Sequence, residues 1–134
     1  MNKVRELALK ALEQAKRDLA RDRHLVPIAF AITRNEVLDF ALTFDNPEEK
    51  QSAYSQLVSL AQERDAEAIV TINDARLSGA GDCLYLTISG PKLPTQSISV
   101  AYKSVGGRII FGQQDETTGD HLRLLQGWAQ EHRA

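Results

Sequence analysis

The densest group of reactive side chains in this sequence is Asn73-Asp74-Ala75-Arg76, with Glu67 upstream and Asp82 beyond the segment Ser78-Gly79-Ala80-Gly81. A carboxylate and a guanidinium at the end of a strand suit a divalent ion or a phosphate ester, so Asp74, Arg76 and Asp82 are the candidate ligand-binding residues. The same residues also fit a surface ion pair or a turn cap. A single Asp without a second inward carboxylate lacks the partner that divides acid and base roles. The glycine-bearing segment follows a strand, where phosphate loops sit, but it has no Lys-Ser/Thr and no third glycine leading into a helix. It runs instead into the extended pattern Cys83-Leu84-Tyr85-Leu86, and reads as an ordinary turn.

Cys83 is the only cysteine, which excludes an internal disulfide and a cysteine-built zinc site. A nucleophilic role would require a nearby cation or helix start to lower its pKa, with His24 or His121 as base. A small buried thiol accounts for it more simply. His121 and His132 stand eleven residues apart. On a helix that is roughly 16 Å along the axis, too far for two ligands each ~2 Å from one zinc. No catalytic residue, metal or cofactor is assigned.

In residues 1–24, basic side chains outnumber acidic ones by seven to four, and Lys3, Lys10, Arg17 and His24 recur every seven residues. A phosphate-binding face would look like this. So would a solvated helix laced by Glu6–Lys10 and Glu13–Arg17 pairs, and no aromatic side chains interleave to stack bases. Nucleic-acid binding is therefore not favoured.

These residues need elements to position them. Val4, Leu7, Ala8, Ala11, Leu12, Ala15 and Leu19 recur at helical spacing and predict a first helix. From Leu25 the period drops to two. An antiparallel hairpin pairing Ile32 with Leu38, Phe30 with Phe40, Ile28 with Leu42 and Val26 with Phe44 gathers eight large apolar side chains on one face. Ala29, Ala31, Thr33, Asp39, Ala41 and Thr43 then fall on the other. Arg34-Asn35-Glu36 connects the strands, with Asn35 suited to a left-handed turn position, and Pro27 marks a strand start or an edge.

Asn46-Pro47-Glu48-Glu49 is a helix start with cap, first-turn proline and capping-box acid. Ala53, Leu57, Leu60 and Ala61 line the predicted inward face, with Tyr54 and Val58 on the flanks. Four strands follow around Ala68–Ile72, Leu84–Ile88, Ile98–Tyr102 and Ile109–Phe111, the last two joined near Gly106-Gly107. A third helix is expected over Leu122, Leu125, Trp128 and Ala129. The expected fold is a single α+β domain over residues 1–134, with an antiparallel-dominated sheet of about five to six strands and three helices, in the order α-β-β-α-β-β-β-β-α.

The proline-led first hairpin, the Asn46-Pro47-Glu48-Glu49 start, the run Ala66-Glu67-Ala68-Ile69-Val70-Thr71-Ile72-Asn73-Asp74-Ala75 and the Gly-Gly hairpin together resemble a diffuse family of small uncharacterised bacterial and phage-related proteins. The resemblance spans about residues 23–115 as a pattern of strands and spacings. The third strand of that family often ends in Glu-Ala-Trp; Asn73-Asp74-Ala75-Arg76 keeps the acid and the Ala without the aromatic. The resemblance implies the fold order and no activity.

With 134 residues, 43% hydrophobic and 25% charged, the chain suits one globular domain and not a disordered or collagen-like one. A net charge of −2 draws it to no polyanion. The longest apolar stretch, Leu25–Ile32, contains Pro27 and is far short of the ~20 residues of a membrane helix. Met1–Arg23 has no apolar core of a secretory signal, so a reduced cytoplasmic setting is expected. The resulting expectation is a non-enzymatic protein-interaction or assembly module that self-associates or binds a protein partner. The rival is a small metal- or phosphate-binding enzyme using Asp74, Arg76 and Asp82.

Overall fold

The computed structural model describes residues 2–42, 44–77, 81–91 and 93–118. Its elements are α1 (Asn2–Asp22), β1 (Ile28–Ile32), β2 (Val37–Ala41), α2 (Pro47–Glu63), β3 (Ala68–Leu77), β4 (Gly81–Gly90), β5 (Leu93–Val105) and β6 (Arg108–Thr118). The strands form one antiparallel sheet in the order β2-β1-β3-β4-β5-β6. The α+β class and the order of these elements match expectation. The third helix expected after Thr118 lies outside the described residues.

α1 forms because its apolar residues fall on one stripe, and that stripe buries Val4, Ala8, Leu12, Ala15 and Leu19 against one face of the sheet. The alanines let the helix axis approach Val70, Ile72, Leu84, Leu86, Ile98 and Val100 closely. Each fully buried Leu or Ile contributes about 1.5–3 kcal/mol relative to exposure. α2 covers the opposite face over Ala29, Ala31 and Ile69. Its start is capped as the sequence implies: Asn46 Oδ1 accepts from the Glu49 backbone N–H at 2.8 Å, and Asn46 Nδ2 donates to Glu49 Oε2 at 2.7 Å. Tyr54, expected on the flank of α2, is buried at its centre, while Leu60 is only half-buried.

The first hairpin differs from the expected register by one residue. Ile32 pairs with Val37, Phe30 with Asp39 and Ile28 with Ala41. The cause is the second layer: with α2 on one side and α1 on the other, β1 buries side chains in both directions, so the apolar row of β2 can lie on either side of it. Leu38 and Phe40 therefore join Ala29 and Ala31 under α2, while Phe30 and Ile32 face α1. Val26, assigned to the apolar face, is 61% exposed. The loop is one residue shorter than expected. Thr33 closes it, its N–H donating to the Glu36 carbonyl at 2.9 Å while its hydroxyl oxygen accepts from the Glu36 N–H at 3.0 Å. Positive φ outside glycine occurs among the described residues at Arg23 and Asp65, not at Asn35. β1, which starts just after Pro27, is an interior strand; the edge is β2.

The second hairpin turns at Gly106 and Gly107, with φ of +58° and +81°, between the pair Val105 and Arg108. Two positive φ values in a two-residue loop match the strand twist, and glycine adopts them without strain.

Candidate functional site

β3 continues through Asn73 to Leu77, so the polar run expected at a strand end lies within the strand. Gly81 and Asp82, expected in a loop, begin β4, and Ser78–Ala80 lie outside the described residues. Antiparallel pairing sets Arg76 opposite Asp82 and Asp74 opposite Leu84. Alternation along β3 places Asp74 and Arg76 in the row of Ala68, Val70 and Ile72, on the face that carries α1. Asp74, Arg76 and Asp82 thus share one patch, and all three are exposed.

Asp74 has a partner that sequence reasoning missed. The Tyr102 hydroxyl reaches from β5 across β4 and donates to Asp74 Oδ1 at 2.5 Å. The signal was present in the alternation Ile98, Val100, Tyr102, which carries Tyr102 onto the same face as Asp82. Tyr102 packs against Phe111 with ring centroids 6.4 Å apart, and Lys16 of α1 stands 5.9 Å over the Phe111 ring. Burial pushes the Tyr102 phenol far above its ordinary pKa, and the bond to Asp74 and the charges of Asp74, Asp82 and Cys83 push the same way. Such a phenol stays protonated at neutral pH and serves as a donor, not a base.

Cys83 points to the other face, opposite Ala75 and Ala101, and is buried. Burial raises its thiol pKa, and the charges of Asp74 and Asp82 raise it further. Thiolate formation is therefore disfavoured, the reverse of what a nucleophile needs. His24 Nδ1 donates to the Asp22 carbonyl at 3.1 Å, and His121 and His132 lie outside the described residues. Among the described residues no group of three or more His, Cys, Asp or Glu is placed to hold a metal.

A shallow depression of about 420 Å³ opens beside the patch, with Asp82, Tyr102, Lys103 and Ile110 in its lining. One carboxylate and one ammonium give it no excess of either sign, whereas a phosphate or a divalent ion selects a site of opposite charge. The basic side chains of α1 are largely engaged. Arg5 pairs with Glu116 of β6 at 2.7 Å, Lys16 with Glu13 at 3.2 Å and Arg21 with Asp18 at 3.3 Å. Glu13 thus pairs with Lys16 and not with Arg17 as expected. The Arg21 guanidinium, hydrogen-bonded to Asp22, holds that carboxyl below its usual range.

The α2 side of the sheet carries a buried polar row that sequence reasoning also missed. Thr71 and Thr87 share a hydroxyl–hydroxyl hydrogen bond of 2.5 Å, Asn73 Nδ2 donates to the Tyr54 hydroxyl at 2.8 Å, and the Tyr85 hydroxyl donates to Ser97 at 2.9 Å. Thr and Ser alternate with Ile and Leu in phase along β3, β4 and β5, and that alternation was the available signal.

The two sheet edges differ. β2 spans five residues and carries Asp39 at its centre. β6 spans eleven residues, pairs among the described residues only with β5, and is exposed along most of its length, with Ile110 46% exposed. No protein-family model matches the chain, and neither a curated protein nor a solved structure matches it.

Proposed function

We propose that this chain is a non-enzymatic, cytoplasmic interaction module that assembles with copies of itself through an open sheet edge. The observation that carries this reading is β6, an exposed eleven-residue edge strand containing the apolar run Ile109-Ile110-Phe111. Such an edge offers a row of unpaired backbone N–H and C=O groups, and another strand satisfies them by extending the sheet. Ala29 and Ala31 of the first hairpin, a small-residue face that could accept a helix of the same chain or of a partner, are covered by α2 of the same chain, so assembly falls to the edge. The third helix expected over Leu122–Ala129 belongs to the same reading, and truncation after Thr118 should then lower the helical circular-dichroism signal.

Sedimentation velocity across a concentration series tests the proposal. Self-association should appear and should be lost in Ile110→Lys, a charge of the kind that blunts natural edges. A wild-type monomer at every concentration overturns it.

The rival reading, a small metal- or phosphate-binding enzyme, draws on the pairing of Arg76 with Asp82 beside Asp74. It requires a metal or phosphate compound to raise the thermal midpoint, and Asp74→Ala to abolish that rise. No shift across such a panel removes it.

A further inference from the structure

The assembly reading leaves open which strand fills the β6 edge, and a bulge in β6 bears on the answer. Val100 pairs with Gln114 and Tyr102 with Phe111, so Gly112 and Gln113 together stand against Ala101 alone. An extra residue in one strand shifts the alternation of every side chain beyond it. Arg108 pairs with Val105, and Asp115 pairs with Ser99. Val105 and Ser99 are an even number of positions apart on β5, which has no extra residue there, so Arg108 and Asp115 face the same side of the sheet. They are seven positions apart in β6, and in a regular strand that odd separation would put them on opposite sides.

Both side chains are exposed. Asp115 accepts from Gln113 of its own strand at 2.9 Å, and the ion pairs among the described residues include neither Arg108 nor Asp115. Two opposite charges on one face, flanking the bulge at the middle of an exposed edge, are self-complementary under a two-fold rotation. An antiparallel partner strand must present same-face residues opposite each other, and the bulge supplies that match.

We propose that the occupant of this edge is β6 of a second copy, paired antiparallel about a two-fold axis with Arg108 opposite the partner's Asp115. This rests on the assembly reading and names its partner and register. Symmetry makes the charge pair twice, once at each end of the contact. Ile110, nearly half exposed in the single chain, comes to lie against the partner strand and loses water there. The two sheets become one, and the long unprotected edges vanish. What remains at the rims is β2 of each copy, a short strand carrying Asp39, which is how natural sheets end without aggregating.

Charge reversal tests the register. Arg108→Asp and Asp115→Arg each set like charges opposite one another twice, and each should raise the dimer dissociation constant about tenfold or more in sedimentation equilibrium. The double variant Arg108→Asp/Asp115→Arg restores opposite charges and should return to near the wild-type value. Circular dichroism confirms that each variant stays folded. If the wild type self-associates, Ile110→Lys abolishes it and the single reversals change nothing, the register is overturned while the assembly reading stands. The same holds if the double variant is no better than the singles. A wild-type monomer overturns both.

Discussion

The Tyr102 hydroxyl donates to Asp74 Oδ1 at 2.5 Å, tying β5 to β3 over the top of β4. The bond joins residues 28 positions apart in sequence and occupies the carboxylate most suited to ligand chemistry. It makes Asp74 a structural acceptor in the resting fold, with Arg76 set against Asp82 instead.

Removing the phenol group tests that tie. Tyr102→Phe should cost about 1 kcal/mol at neutral pH, below the ~1.5–3 kcal/mol of other bonds to charged groups because the Asp74 carboxylate is exposed. The raised phenol pKa also sets a pH dependence. In the unfolded chain Tyr102 ionises near pH 10, whereas in the fold it holds its proton longer. The stabilisation is complete below pH ~10 and is lost as pH rises above it. Urea titrations from neutral to alkaline pH should show a decline in the wild type that is shallower in Tyr102→Phe.

The Thr71–Thr87 pair gives a second prediction. Thr71→Val leaves the Thr87 hydroxyl buried without this partner, at a cost of about 1–3 kcal/mol. Thr71→Val/Thr87→Val removes both polar groups and should recover much of the loss. A double-mutant cycle by chemical denaturation measures the difference.

At the start of α2, Asn46→Ala removes an acceptor from the Glu49 N–H and a donor to the Glu49 side chain. The expected loss is about 1 kcal/mol, read as a lower denaturation midpoint with unchanged slope.

Cys83, buried and with its thiol pKa raised, should react with an alkylating reagent about tenfold or more slowly in the native protein than in urea. Intact mass spectrometry follows the single thiol directly. Fast native alkylation would show the site to be open and the thiol activated.

Much of the fold was legible because its signals are local. The stripe in α1, the Asn46-Pro47-Glu49 start and the Gly106-Gly107 turn are each set by neighbouring residues and matched expectation. The site was legible only in part: Asp74, Arg76 and Asp82 do share a patch, but Tyr102 comes from a strand that spacing alone could not bring over Asp74.

Among the described residues, hydrophobic periodicity and capping chemistry by themselves decided which segments are helix or strand, and in what order. The tertiary structure alone decided the register of the first hairpin, because β1 is apolar on both sides and the single apolar row of β2 matches either until α1 and α2 claim one each. It alone placed the bulge at Gly112 and Gln113, since a bulge is a mismatch between two strands and no property of either one. The common orientation of Arg108 and Asp115 follows from that mismatch, which exists only once β5 and β6 are paired.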